Sequence, residues 1–206
     1  MAGDDLTDEG GSSWSSLLHA YDPEVEWRPV EELYGAFRRP RNDADRRAGE
    51  LAGRLDVLDF GSGDLPRPAE IPEEEWRRGR LGNVVEAEGR LLLEGLGGET
   101  DMLYAAPTDN DCVAYALLPN GGGGCTAPGP DGLVLGWHQG EADELTVVGI
   151  VADAIVAVDV IVTGTANEAH MGENAFGLRL DRTNEAGLER VVLHRRDGTT
   201  TELALK

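Results

Sequence analysis

Lysine is nearly missing from this chain. Lys206 is the only one in 206 residues, so almost all positive charge is arginine. Positive charge is scarce altogether: 18 Lys and Arg stand against 39 Asp and Glu, a formal net charge of −21. Nucleic-acid binding draws much of its affinity from neutralising phosphates, and a chain this acidic is repelled by DNA, RNA and anionic lipid. The one compact basic stretch is "FRRPR", Phe37 to Arg41. Aromatic residues are only 5%, so the expected core is aliphatic. No apolar run approaches the roughly 18 residues needed to cross a bilayer, and membrane insertion is not expected. The opening "MAGDDLTDEGGSSWSS" has neither the basic start nor the apolar stretch of an export signal. At face value this places the chain in the cytoplasm. Few lysines beside many Ala, Gly, Leu, Val and Arg is the composition a GC-rich genome encodes.

Organisation changes along the chain. Residues 1–24, rich in Gly, Ser, Asp and Glu, are expected to form a disordered acidic tail. Residues 25–58 read as a helical segment. Val30, Leu33, Tyr34 and Phe37 fall at i, i+3, i+4 and i+7 of one helix opened by Pro29 and ended by Pro40. Asn42 or Asp43 caps a second helix with Ala44, Ala48, Leu51, Ala52 and Leu55 on one face. Residues 59–84 read as a linker broken by prolines and glycines, with Trp76 as an anchor. From about residue 85 to 206 short apolar runs alternate with turn residues. That pattern predicts a mainly β fold, α+β overall, with an antiparallel sandwich-like domain behind the helical pair. "IVAVDVIV" is apolar on both faces and is expected to lie centrally. Asp197-Gly198 predicts a hairpin with a two-residue turn. The glycine run 121–124 reads as a turn.

The two cysteines, Cys112 and Cys125, flank a strand and that glycine run. A strand that turns back can bring its ends within bridging distance, and such a bond stabilises by roughly 3 kcal/mol in the chain-entropy model. Two reduced structural thiols remain an alternative, as does a reactive or metal-bound pair. If the pair is oxidised, the β domain belongs outside the cytoplasm. "NGGGGC" lacks the lysine of a phosphate-binding loop, and no dinucleotide or nucleophile-elbow motif occurs, so no cofactor and no catalytic residue is assigned. "HQGE" and "HMGE" repeat one arrangement. His138, Glu141, His170 and Glu173 are therefore the candidate ligands of a divalent metal, with solvated loop residues as the plainer reading. Trp137, Tyr104 and Phe176 read as core anchors.

The ordered set "FRRPRNDADR", "LYAAPTDNDCVAYALLPNGGGGC", "VVGIVADAIVAVDV" and "ENAFGLRL" resembles a set of uncharacterised proteins from GC-rich actinobacteria, over about residues 37–180. The resemblance implies that Cys112 pairs with Cys125, that Asp153 sits in a tight turn between two strands, and that Asn174, Ala175 and Phe176 open a core strand. It implies no activity. Members of that set often carry an N-terminal membrane segment or export signal, which the first 28 residues here do not show. Asp153-Ala154 also stands where that set has a glycine.

The functional expectation is a non-enzymatic accessory or binding module with a protein partner. A cytosolic regulatory protein binding through helices 29–55 is one alternative. A metal-dependent hydrolase built on the two H-x-G-E segments is the other.

Overall fold

The structure, a computed structural model, describes residues 13–16, 29–55, 84–96, 101–108, 112–119, 122–126, 128, 132–139, 144–181 and 185–205. It is mainly β, as expected: three antiparallel sheets with, among the described residues, three short α-helices. The strands are β1 (Ser13–Ser16), β2 (Arg90–Glu94), β3 (Met102–Pro107), β4 (Val113–Leu118), β5 (Gly122–Thr126), β6 (Val134–Gln139), β7 (Leu145–Ile150), β8 (Ile155–Val162), β9 (Thr165–Glu168), β10 (His170–Met171), β11 (Ala175–Leu180), β12 (Leu188–Arg195) and β13 (Thr200–Ala204). The helices are α1 (Val30–Leu33), α2 (Gly35–Arg38) and α3 (Asp43–Leu55). No helix among the described residues is long and apolar enough to cross a membrane.

The sheets stack. A central sheet of order β1-β6-β7-β11-β10 lies between a sheet β13-β12-β8-β9 and a sheet β2-β3-β4-β5. Leu135, Val147 and Phe176 of the central sheet meet Val158, Val160, Val191 and Leu193 of the first neighbour. Its other face, with Val134, Val148, Ile150 and Ala175, meets Leu103, Val113, Tyr115 and Leu117 of the second, together with α1 and α2. The far side of that second sheet, Tyr104, Ala116 and Leu118, is covered by Ala48 and Ala52 of α3. The alternation of side chains across a strand makes this possible, because a strand apolar at every position can serve two cores. β7, "LTVVGI", is buried at all six positions for that reason.

Glycines set the spacing between these layers. In the row Gly136, Val148, Gly177, the two glycines flank Val148. A Cβ on Gly136 would sit 2.2 Å from the Tyr115 hydroxyl, and one on Gly177 would sit 1.7 Å from Leu96 Cδ2. Gly149 lies under the Phe176 ring. A Cβ there would be 2.4 Å from Phe176 Cε1 and 2.8 Å from the Val134 carbonyl oxygen, which is backbone and cannot swing aside. Gly149→Ala is therefore expected to destabilise by about 1–3 kcal/mol, the range for overpacking, with the loss visible as a lower midpoint in denaturant titration.

Several sequence expectations are corrected. The "IVAVDVIV" strand is central only within an outer sheet, and one of its faces is toward solvent. A bulge, where His194 pairs with Ala157 but Arg195 with Ile155, turns Ile155 inward and leaves Val156 47% exposed. The Asp197-Gly198 hairpin has a three-residue loop, residues 196–198. Gly198 lies at φ +85 and the Gly198 N–H donates to the Arg195 carbonyl, the geometry of a type I turn closed by a left-handed residue. The glycine run is not only a turn: Gly122, Gly123 and Gly124 belong to β5 and pair with Leu117, Ala116 and Tyr115. Ser13–Ser16, placed in the expected disordered tail, form β1 and pair with β6. The rest of 1–24, the linker 59–83 and Trp76 lie outside the described residues.

The single helix expected over 30–37 is two short ones. Tyr34 between them is extended, at φ −124 and ψ 115. Its four apolar positions are all buried, but tertiary bonds capture the backbone at the break. The Tyr34 hydroxyl donates to the Gly132 carbonyl at 2.6 Å, and the Asp153 N–H donates to the Leu33 carbonyl at 3.1 Å. Burial holds the Tyr34 phenol far above its ordinary range, so it stays a donor.

Candidate functional site

Three segments distant in sequence meet where the helical segment enters the sheets: residues 33–45, the β7–β8 turn at Asp153 and the β10–β11 turn at Asn174. Asp153 lies in a turn, as the resemblance implies, with the Ile155 N–H donating to the Ala152 carbonyl at 3.0 Å. Asn174 precedes β11 at φ +56, a left-handed conformation that asparagine tolerates better than most residues. Ala175 and Phe176 follow it into the core.

The centre is Asp45, fully buried at the start of α3. Asn42 and Asp45 form a reciprocal cap. The Asp45 N–H donates to Asn42 Oδ1 at 2.9 Å, and the Asn42 N–H donates to Asp45 Oδ2 at 2.7 Å. Arg39 donates to both carboxylate oxygens, at 2.5 and 2.9 Å, and the Leu91 N–H of β2 donates at 2.9 Å. Burial alone would raise the Asp45 pKa. The Arg39 guanidinium and the two backbone N–H groups outweigh it and hold the pKa at about 2. Arg39 also donates through Nε to Glu173 at 2.5 Å, and its own pKa is raised, chiefly by Asp45.

A second clamp surrounds Asp153. Its carboxylate accepts from the Gly35 N–H at 2.6 Å, from Asn174 Nδ2 at 2.8 Å and from Arg38. Burial opposes its ionisation, and these donors, Asn174 first, lower its pKa below the usual carboxylate value. Asn174 Oδ1 accepts from the Ala36 N–H at 2.8 Å. Arg90, 6% exposed, has no carboxylate hydrogen-bonded to it among the described residues. It donates to the carbonyls of Ala36 at 3.1 Å, Arg39 at 2.9 Å, Glu88 at 2.6 Å and Gly89 at 3.1 Å.

Two adjoining grooves of about 400 and 380 Å³ run past this cluster, sharing Gly172 and Glu173. Their charged walls include Arg39, Glu173 and Asp153, the same groups that hold one another. With Asp45 and Asp153 lowered and Arg39 raised, these groups keep fixed charges through neutral pH. Such an arrangement orients and holds.

The H-x-G-E residues are not brought together. His138 is on β6 and His170 on β10, three strands away through β7 and β11, a separation of about 14 Å at about 4.8 Å per strand. No shared ion spans that distance. Glu173 is engaged by Arg39, His170 is exposed in β10, and Glu141 lies outside the described residues. Among the described residues no group of three or more His, Cys, Asp or Glu is placed to hold a metal.

No disulfide is seen among the described residues. Cys112, 4% exposed, closes a turn with Thr108, and the register places Cys125 opposite Ala114. Cys112 and Cys125 are thus diagonal neighbours, for which about 7–8 Å is usual, beyond the roughly 4.4–6.8 Å between Cα atoms that a bridge needs. Sliding β5 by two residues would align them, but Leu117 pairs with Gly122, and the connection 118–121 would have to shrink to two residues. Alkylation of the denatured, unreduced protein is expected to add two groups by intact mass. Addition only after reduction would mean that this register does not persist.

Val30, Leu33, Tyr34, Ala36, Phe37, Ala48 and Ala52 face inward, whereas Leu55 is 42% exposed and Glu31, Glu32, Asp43, Arg46 and Arg47 are exposed. Nothing in the sequence marks Asp45 or Arg90 as the centre; the nearest signal is Asn42 as the N-cap of α3, three residues before Asp45. Compared with known proteins, the chain matches no family model, no curated protein and no solved structure.

Proposed function

We propose that this chain is a non-enzymatic accessory protein that binds a protein partner. The observation that carries the reading is the disposition of its charges. The arginines and carboxylates gathered at this polar cluster neutralise each other or cap backbone carbonyls, and the pKa values of Asp45, Asp153 and Arg39 are driven away from neutrality, whereas catalytic acids and bases are tuned toward it. The cluster fastens a helical segment into a stack of sheets and makes a rigid frame for a binding surface. The net charge of −21 favours a basic protein partner over nucleic acid or anionic lipid. The test is in-cell photo-crosslinking to identify the neighbour, then calorimetric titration of the two purified proteins. Saturable stoichiometric binding that weakens with salt is expected. Multiple-turnover conversion of a small molecule, lost in a folded Glu173→Gln variant, would overturn the reading.

A further inference from the structure

The sheet edges of this fold are treated unequally. The outer edge of β2 is covered: the Leu91 N–H donates to Asp45, and the Leu92 carbonyl accepts from the Glu173 N–H at 2.9 Å. The β10 edge of the central sheet is two residues long, and the adjoining Ala169 N–H donates to the Val158 carbonyl of the neighbouring sheet at 2.8 Å. β6 is different. It runs for six residues, Val134–Gln139, with no proline and no charged residue. Those are the devices by which proteins blunt an edge. Among the described residues only β1 extends the sheet there: Ser16 pairs with Gly136 and Ser13 with Gln139, while Val134 and Leu135, both buried, pair with β7 on their other side. β1 is only four residues long, so few ladder bonds join it to β6.

We propose that the β6 edge is a strand-acceptor site, that Ser13–Ser16 occupy it as an internal stand-in, and that its ligand is an extended, positively charged segment of the partner. Strand addition uses backbone bonds for affinity, which β6 offers at any sequence. The acidic chain draws a basic segment toward it. The incoming strand would take over the same ladder positions on β6, Gly136 to Gln139. This rests on the binding-module reading and names its site.

The probe is a fluorescein-labelled peptide of residues 11–18 with two lysines added at each end. Its anisotropy is measured against the full chain and against full-length Trp14→Pro and Ser15→Pro, adjacent positions of which one turns its N–H toward β6; proline removes that donor in one variant, fixes φ at about −65° in both, and so dislodges the stand-in. Both variants are expected to bind about tenfold more tightly than the unaltered chain. Hydrogen exchange should show protection of 136–139 on binding. The same peptide with proline at the tryptophan position should not bind. Equal affinity in all three chains, binding without protection of β6, or no binding to a variant that still melts cooperatively would each overturn the proposal. So would loss of folding in both variants, since β1 would then be structural. A failure here, with the crosslinked partner still bound in titration, discards the β6 site and leaves the binding-module reading intact.

Discussion

Replacing Asp45 by alanine is expected to lower stability by about 3–5 kcal/mol, the range for removing one partner of a buried ion pair, and the melting temperature by about 10 °C for a chain of this size. The reasoning is local. Asp45 is fully buried and accepts four bonds: two from Arg39 and one each from the Asn42 and Leu91 N–H groups. Alanine leaves the Arg39 guanidinium and two backbone donors without that acceptor, and it removes one half of the reciprocal cap of α3, while the residue-45 N–H can still donate to Asn42 Oδ1. Asp45→Asn keeps one acceptor oxygen but turns an amide toward Arg39, so it should recover only part of the loss. The pH dependence has a defined sign. Asp45 titrates at about 2 in the fold against an ordinary carboxylate value of 3.8. Its contribution, about 2 kcal/mol from that difference, is fully present above pH 4 and is lost as pH falls through about 2. Chemical denaturation at pH 7 and at pH 2.5 would show the gap between native and Asp45→Ala proteins narrowing in acid. An equal gap at both values would mean that the loss comes from packing rather than charge.

Much of the frame was legible in the sequence, and the reasons are physical. "LTVVGI" and "VAYALL" declare strands because apolar periodicity is local. "NDADRRAGELAGRL" declares a capped helix for the same reason, and α3 runs over Asp43–Leu55 as expected. What was not legible depends on partners far along the chain. Asp45 reads as one more acid on a helix, yet its bonds reach Leu91, 46 residues away. Tyr34 reads as the middle of one helix, yet Asp153 and Gly132 hold the backbone open around it. Gly122–Gly124 have no side chain to carry a strand signal, and only the ladder with β4 makes them one. Cys112 and Cys125 look like the ends of one stapled hairpin until register is known, and register is set by the length of the connection 118–121 rather than by the cysteines. The H-x-G-E repeat is a likeness of composition, and sheet order separates its histidines.

Replacing Arg90 should be the second large loss, about 3 kcal/mol for Arg90→Met, because it strands several carbonyls at once. Helices as short as α2 leave their last carbonyls without internal partners. Here Arg90 supplies them, donating to Ala36, and to Arg39 just past the helix end, while its other terminal nitrogen holds Glu88 and Gly89. One planar fork thus ties two chain segments together. Burial lowers its pKa, with nearby Asp45 opposing that, so the two centres are coupled through space as well as through Arg39. Arg90→Lys keeps the charge but offers a single point of donation, which cannot reach both segments; it should lose about 2 kcal/mol. Arg46, more than half exposed and paired only with Asp43, is the matched control, and Arg46→Met should change stability by less than about 0.5 kcal/mol. Urea titration of the three variants separates the possibilities. If lysine restores full stability, charge alone is what the carbonyls require and the fork geometry is incidental. If methionine is neutral, water already reaches those carbonyls and α2 is not held by Arg90. Near-additive losses in the Asp45→Ala, Arg90→Met double variant would show two separate fasteners. A double variant little worse than either single one would show that the helical segment comes off the sheets as a unit once one of them is gone.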